Sequence, residues 1–416
     1  MAEISETADE VNLERLDVPR AQPVLLIETR VELDAIASRL ANLTGPLAID
    51  AERASGFKYS QRAYLIQLHK AGGPIYLIDP ASISPNSDIH DFATLQRAIG
   101  DDEWILHAAT QDLPCLAMLG LRPSKLFDTE LASRLAGLER VGLGAACEAL
   151  LGLKLAKEHS AVDWSTRPLH DDWLNYAALD VDVLIELRSA LTALLQGQNK
   201  LDFALEEFEA LTRFEPKAAK VDKWRSTTGI NEIRDPKAMA VVRSLWQARE
   251  ALAEKLDVSP GRLIPDLAIV AAAKVQPKTK PELTALKAFN GRASRTYLDV
   301  WFAALQAGMA DLDLPAMRLP AVGIPNHRIW PSKYPVADSR LQKFRAVVSQ
   351  LSEDLSIPLE NLLTPDTLRQ LAWNEEIESA DEIFSFLISL KARNWQANLL
   401  AEGFCSALLS AEHEEL

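Results

Sequence analysis

Cysteine is scarce in this chain, with three residues in 416. Cys115, Cys147 and Cys405 lack any paired spacing, which argues against a zinc site. We interpret them as core thiols. Few, unpaired cysteines are typical of a reducing interior, so we expect a cytoplasmic protein.

Long apolar runs are also absent. No segment approaches the roughly 18 apolar residues of a transmembrane helix, so we expect no membrane partner. The opening MAEISETADEVNLERLD has neither a basic n-region nor an apolar h-region, and we interpret it as neither signal peptide nor anchor. Residues 1–20 are expected to form a disordered acidic tail. The remaining length, with 48% hydrophobic residues overall, suffices for two or three domains.

Positive charge is in deficit, with 44 Lys and Arg against 59 Asp and Glu and a net charge of −15. By itself this deficit argues against a nucleic-acid partner, because the phosphate backbone attracts cationic surfaces. The distribution is uneven, however. Residues 215–295 hold 16 basic and 9 acidic residues, a local charge of +7. This basic module is either a solvated helical surface or a surface that follows phosphates.

Four acidic residues lie where local structure turns them toward one point. Asp50 and Glu52 belong to a short apolar run that indicates a buried strand, and positions i and i+2 of a strand share a face. Asp112 follows a second apolar strand and begins a helix, at the kind of strand end where open α/β sheets build sites. Tyr176 and Asp180 are four residues apart in a helical pattern and share a face. Together they indicate a carboxylate cage for divalent metal.

Each element also has an ordinary structural explanation. Asp-x-Glu pairs recur at Asp101/Glu103 and Asp128/Glu130, and most such pairs are solvated. Asp112 is compatible with a first-turn residue favoured by the helix dipole, and a lone tyrosine on an amphipathic helix is usually core packing. The buried strand favours the metal interpretation, because buried carboxylates need a cation or hydrogen-bond partners. Only the joint pattern is specific.

The joint pattern resembles the DEDD exonuclease superfamily, in its tyrosine branch, and most closely the ribonuclease D family. The resemblance covers about residues 24–195. Its three motifs are matched in order by Asp50-Ala51-Glu52, by His107 to Asp112, and by Tyr176 to Asp180.

Two details refine the resemblance. The sister branch has His five residues before the last Asp, where this chain has Asn175, which excludes that branch. The family often has Thr where this chain has Ala51, but that side chain points to the opposite strand face from the two acids, so metal binding need not suffer. The segment Phe127–Ser133, FDTELAS, also resembles a family element.

The resemblance implies a ribonuclease H-like α/β exonuclease domain with a mixed sheet. It further implies a metal-dependent 3′-5′ exoribonuclease acting on RNA 3′ ends, single-stranded or tRNA-like, with two Mg²⁺ or Mn²⁺ ions. Asp50 would bridge the ions, and Asp112 would help to hold one of them. Glu52 and Asp180 would complete the site of the ion that generates hydroxide, with Tyr176 orienting the attacking water.

Two other functions remain open. A DNA exonuclease of the same superfamily would use the same carboxylates, and no sequence feature reads the ribose 2′-hydroxyl. A catalytically silent scaffold that binds nucleic acid or protein is the second, although a decayed site has no reason to keep all five residues. Protein partners are not indicated.

Cationic and polar residues near the motifs and in the basic module are candidate substrate contacts, although for any one cation surface solubility is the more common role. His107 has an ordinary pKa near neutrality but, at a strand end, is better explained by a structural hydrogen bond or a substrate contact than by general-base catalysis. The candidates are His107, Arg53, Lys157, Arg167, Lys223, Arg225, Lys274, Lys278 and Lys280.

The second half of the chain is helical in pattern. Residues 213–310 resemble the HRDC module, which contributes nucleic-acid binding in the family, and Asp235 is its expected helix N-cap. A similar segment recurs about 100 residues later, so we expect two all-α HRDC-like domains after the exonuclease domain. The predicted organisation is a tail 1–20, an exonuclease domain 21–212, an HRDC domain 213–312, a proline-rich linker 313–335 and a second HRDC-like domain 336–416.

Overall fold

The computed structural model describes residues 13–85, 89–156, 162–216, 221–319 and 323–409. Lys157, one of the predicted substrate contacts, lies outside these residues. Among the described residues, no helix is both long and apolar enough to span a lipid bilayer.

The described residues up to position 212 contain eight strands. These are β1 (Glu14–Leu16), β2 (Val24–Ile27), β3 (Leu47–Arg53), β4 (Ala63–Lys70), β5 (Ile75–Ile78), β6 (Glu103–Leu106), β7 (Lys125–Asp128) and β8 (Leu153–Leu155). Six of them form one sheet in the order β2-β5-β4-β3-β6-β7. Within it β3 pairs antiparallel with β4 and parallel with β6. The mixed sheet confirms the predicted fold class.

Helices cover both faces of this sheet, which is why β4 is buried at every position. They are α1 (Arg30–Leu40), α2 (Pro80–Ile83), α3 (Ala93–Ile99), α4 (Leu113–Ala117), α5 (Thr129–Leu135), α6 (Leu143–Leu151), α7 (Asp171–Asp182), α8 (Leu184–Gly197) and α9 (Leu201–Thr212). The central strand β3, which carries both acids of the first motif, therefore lies between two apolar layers.

The prediction of a disordered tail over residues 1–20 is wrong for the part that the structure describes. Residues Glu14–Leu16 form β1, which pairs in parallel with β8 in a separate two-stranded sheet. Leu16 is buried in the main core. A single apolar side chain and three backbone pairings order a segment whose composition is otherwise polar.

The middle region has a core of its own, built around Trp224, Phe289 and Trp301. Its helices are α10 (Pro236–Leu256), α11 (Pro260–Leu263), α12 (Asp266–Val275), α13 (Lys280–Thr284), α14 (Arg292–Thr296) and α15 (Leu298–Ala310). Asp235 caps α10 by accepting a hydrogen bond from the Ala238 amide at 3.0 Å, as its position before Pro236 predicts.

The C-terminal region repeats the order of the first middle helices. It contains α16 (Trp330–Lys333), α17 (Pro335–Leu355), α18 (Leu359–Leu362), α19 (Pro365–Trp373), α20 (Ala380–Ser389) and α21 (Asn394–Leu409). Both α10 and α17 have 21 residues and end at a left-handed residue, Asp257 or Ser356. Each is followed by a four-residue helix and then a longer one.

The C-terminal helices share one core with the exonuclease region, which the sequence did not indicate. Phe203 stacks on Trp395 with ring centroids 4.7 Å apart, and the Trp395 indole donates to Glu207 at 3.2 Å. Part of the predicted linker also belongs to this core, since Trp330 is fully buried at the start of α16. The linker prediction is therefore wrong for this segment, because a large aromatic side chain fixes it to the helices that follow.

The middle region touches the loop that follows the first acidic motif. The Asp257 carboxylate accepts from the Ser60 amide at 2.9 Å, and the Arg262 side chain donates to the Gly56 carbonyl at 2.8 Å. Arg262 also lies over the Phe57 ring, 4.1 Å from its centroid. The loop between β3 and β4 is thus supported by a second region of the chain.

Candidate active site

Three elements bring the predicted acids to one cavity of about 360 Å³. β3 supplies Asp50 and Glu52 from one face, opposite Gln67 and Leu65 of β4. Asp112 immediately precedes α4, after the short turn that follows β6. This is the strand-end position that the sequence predicts.

Three of the carboxylates lie close enough together to share one metal ion. One oxygen from each of Asp50, Glu52 and Asp180 lies within 4.8 Å of the other two. The fourth acid, Asp112, joins the cluster through a hydrogen bond between its carboxyl group and that of Asp50. All four line the same cavity together with Tyr176.

The electrostatics of this cluster call for a cation. Burial raises the pKa of all four carboxyl groups above their usual range. For Glu52, burial and the neighbouring charges of Asp50, Asp180 and Asp112 raise the pKa to about 9. Four hard oxygen donors with mutual repulsion are the donor set that Mg²⁺ or Mn²⁺ prefers. The residues present therefore fit a divalent metal centre.

Tyr176 stands one helical turn before Asp180 on α7, and the two side chains are hydrogen-bonded. Burial and the charges of Asp180 and Glu52 raise the pKa of the Tyr176 phenol above its ordinary value. The hydroxyl is therefore protonated and available as a donor. It can orient a water molecule but not remove its proton.

His107 is held by the strand end rather than poised as a base. Its Nδ1 lies 2.9 Å from the Thr129 hydroxyl, which itself donates to the Leu106 carbonyl at 3.1 Å. Because the hydroxyl proton is used, the ring donates from Nδ1. Burial lowers the pKa of His107 to about 4, so the ring is neutral. It lines the cavity, where a substrate contact stays a prediction.

The sequence interpretation missed Asp128, which we expected to be solvated. Its carboxylate is buried and accepts from the amides of Ala108 at 3.1 Å and Ala109 at 2.8 Å, and it also caps α5. Ala108 has a left-handed backbone with φ of 60°. Asp128 thus fixes the turn that presents His107 and Asp112. The signal was available, since an Asp directly before a helical run is a typical N-cap.

Arg167 is bound by buried groups of the chain itself. Its guanidinium forms two hydrogen bonds to the fully buried Asp79, at 2.6 and 2.7 Å, and donates to the carbonyls of Trp164 and Tyr64. These partners occupy its fork of donors and favour a structural role, and the substrate contact stays a prediction. Arg53, in contrast, lines the cavity, and its charge acts on the acidic cluster.

The cations predicted in the middle region differ in their surroundings. Arg225 pairs with Asp222 at 3.0 Å, donates to the Ala316 carbonyl and lies over the Trp224 ring. These contacts favour a packing role for Arg225, and its substrate contact stays a prediction. The other four predicted contacts are exposed lysines, namely Lys223, Lys274, Lys278 and Lys280. Lys274 pairs with Glu232 and Lys280 with Asp299, and such surface ion pairs cost little to break.

Three segments of the chain match known protein families. Residues 24–196 match the family described as 3′-5′ exonuclease, and residues 238–305 match the HRDC domain. Residues 323–408 match a family described as 3′ to 5′ exonuclease C-terminal domain.

Similar proteins extend over most of the chain. Ribonuclease D of Acidiphilium cryptum is 30% identical over 309 residues, which are 71% of this chain and 74% of that protein. Ribonuclease D of Escherichia coli K12 is 25% identical over 368 residues, 87% of this chain and 92% of that protein.

Solved structures show the same architecture. A protein from Bifidobacterium adolescentis superposes with a TM-score of 0.86 at 37% identity, over 95% of this chain and 99% of that one. Escherichia coli RNase D, an exoribonuclease involved in structured RNA processing, shares the fold with a TM-score of 0.65 at 24% identity, over 94% and 99% of the two chains. On its motifs, its matched domains and these relatives, the chain belongs to the ribonuclease D family.

Proposed function

We propose that this protein is a metal-dependent 3′-5′ exoribonuclease that releases nucleoside monophosphates from RNA 3′ ends. The observation that carries the proposal is the approach of Asp50, Glu52 and Asp180 to within 4.8 Å of one another. Asp112 and Tyr176 line the same cavity. Buried carboxylates held this close are stable together only with protons or cations between them.

The chain would hold two ions with four carboxylates. Asp50, Glu52 and Asp180 would bind the first, and Asp50 with Asp112 the second. When bound, a pair of Mg²⁺ or Mn²⁺ ions supplies an activated water and stabilises both oxygens of an in-line phosphodiester displacement. Asp50 is central because it contacts both groups of acids.

Two neutral side chains organise the remainder of the cavity. The protonated Tyr176 hydroxyl, already hydrogen-bonded to Asp180, would orient the attacking water. His107, neutral and anchored through Nδ1, presents Nε2 as an acceptor for a substrate hydroxyl or donor. Neither group needs to change its protonation state during the reaction.

RNA is favoured over DNA by family membership and by the substrate class of the relatives named above. The local charge of +7 in residues 215–295 supports contact with a phosphate backbone beyond the catalytic domain. We therefore infer that the substrates are RNA 3′ ends, including those of tRNA-like precursors.

The test uses RNA and DNA strands of one sequence, each labelled at the 5′ end and incubated with Mg²⁺, Mn²⁺ or EDTA. The expected result is a ladder of RNA shortened from its 3′ end, with either metal and not with EDTA. A 3′-phosphate on the RNA should delay the first cleavage. Equal shortening of DNA would replace the RNA assignment by a DNA exonuclease. A folded protein that shortens neither strand would be a scaffold.

A further inference from the structure

The segment of residues 14–21, here called the N-terminal strap, crosses the helix that carries the third acidic motif. It begins in the two-stranded sheet, where the Glu14 amide donates to the Gly152 carbonyl at 2.9 Å. It then runs along α7, so that Ala21 packs in the same apolar cluster as Tyr176. The strap and α7 are far apart in sequence but adjacent in the fold.

The first contact between them is made by Asp182. Its carboxylate is buried, with 7% relative exposure, two residues after Asp180. One oxygen accepts from the Ala21 amide at 2.9 Å, and the other accepts from the Arg20 amide at 3.0 Å and from the Arg20 side chain at 3.3 Å. Asp182 therefore faces the strap, and it is absent from the residues that line the metal cavity.

The second contact is made by Asn175, the residue directly before Tyr176. Its side-chain amide donates to the Asp17 carbonyl at 2.8 Å. Asn175 and Asp182 are seven residues apart, which is close to two turns, so they lie on one face of α7. The strap therefore binds α7 on both sides of the catalytic pair.

α7 packs on the sheet through apolar side chains, both small ones such as Ala177 and Ala178 and larger ones such as Leu179. Apolar contacts of this kind are not directional. The hydrogen bonds of Asn175 and Asp182 add directional contacts between α7 and the strap.

We propose that the N-terminal strap is a positioning element for catalysis, which acts through Asn175 and Asp182 to fix Tyr176 and Asp180 relative to Asp50 and Glu52. This inference rests on the proposed function. Neither Asn175 nor Asp182 touches the reacting atoms, so both are positioning residues.

The test compares three variants of the full chain for turnover of a 5′-labelled RNA. Asp182→Asn leaves one oxygen for two backbone amides, and Asn175→Ala removes the bond to Asp17. Asp17→Asn is the matched control, because the Asp17 side chain is exposed and pairs with the exposed Arg15. Its carbonyl, which holds Asn175, is unchanged.

Both test variants should lower kcat by about tenfold or more while KM for RNA stays within about twofold, because a misplacement of about 1 Å costs on the order of 10²-fold in rate. Both should also raise the Mg²⁺ concentration needed for half-maximal activity. Asp17→Asn should match the wild type in all three quantities.

A double-mutant cycle separates positioning from general stabilisation. In a Tyr176→Phe background, Asn175→Ala should cost much less than it does alone, since residues that act through one group are not additive. Full additivity, or a kcat within about twofold of the wild type in both single variants, would overturn the inference. If Asp182→Asn does not fold, Asn175→Ala decides alone. An inactive wild type would instead defeat the proposed function.

Discussion

The carboxyl groups of Asp112 and Asp50 are hydrogen-bonded to each other, although 62 positions of sequence separate them. Without a cation, a proton shared between them relieves the repulsion between two buried acids. A divalent ion would replace it and hold both groups ionised. The four carboxylates are therefore a site whose stability and activity depend on what occupies it.

Replacing Asp50 should abolish activity but stabilise the metal-free fold. Removing a residue that hydrogen-bonds a metal ligand lowers metal affinity or activity by about 10- to 100-fold. Asp50→Asn removes a ligand shared by both ions, so its activity should fall by at least that factor. In EDTA the variant should unfold at a higher temperature than the wild type, because one buried like charge is gone.

With Mg²⁺ the wild type should unfold at a higher temperature than Asp50→Asn, because a ligand that binds only the folded state stabilises it. Thermal unfolding with and without Mg²⁺ checks both statements. An Asp50→Asn protein that gains as much stability from Mg²⁺ as the wild type would show that the metal binds elsewhere.

The metal-free protein should lose stability as pH rises. Burial and like charges raise the pKa of Glu52 from 4.5 to about 9 in the folded chain. The folded state therefore keeps a proton that the unfolded chain releases. The resulting stabilisation is complete below the unfolded pKa and is lost as pH rises through the folded one.

Urea unfolding in EDTA at several pH values between about 5 and 9 measures how the free energy of unfolding falls as pH rises. Glu52→Gln is the control and should show a flatter dependence, as should the wild type saturated with Mg²⁺. A wild-type slope identical to that of Glu52→Gln would contradict the raised pKa.

Removing the hydroxyl of Tyr176 should slow the reaction without emptying the metal site. Tyr176→Phe keeps the ring in its apolar cluster and loses the group that orients water. We expect kcat to fall by as much as about 10²-fold. This is the lower end of the rate contribution of a positioned acid or base group, because the tyrosine hydroxyl only orients the water. The Mn²⁺ affinity, followed by calorimetry, should stay near the wild-type value. A matching loss of Mn²⁺ affinity would make the tyrosine a structural part of the metal site.

Arg167 should prove structural. Arg167→Ala leaves the fully buried Asp79 unpaired, and breaking such a pair costs about 3–5 kcal/mol. The activity of the folded protein per active site should be retained at temperatures well below its midpoint. Arg213→Ala, which breaks an exposed i,i+4 pair with Glu209, is the control and should change the unfolding free energy little. A KM for RNA that rises in Arg167→Ala without destabilisation would return this residue to the substrate.

The sequence predicted the residues whose placement is set by local periodicity. Asp50 and Glu52 share a strand face, and Tyr176 and Asp180 share a helix face, whatever the rest of the fold does. Asp112 followed from the strand-to-helix boundary. Short-range geometry and the family resemblance that links the motifs were enough to predict these five residues.

Long-range partners could not be predicted in this way. Arg167 pairs with Asp79, which lies 88 residues away in sequence, and Asp182 binds Arg20 of the strap, which lies 162 residues away. Each is an ordinary charged residue in its local context, and only the tertiary fold assigns it a buried partner. For the same reason, the local sequence around Trp330 predicts a linker and that around Glu14–Leu16 predicts a tail.

A titration of the metal-free protein with Mn²⁺, in which calorimetry counts the ions bound, tests the metal centre itself. We expect two ions per chain for the wild type, as in other two-metal sites, and loss of this binding in Asp50→Asn. A wild-type chain that binds no Mn²⁺, or an Asp50→Asn chain that binds it as the wild type does, would contradict the claim that these carboxylates form the catalytic metal centre.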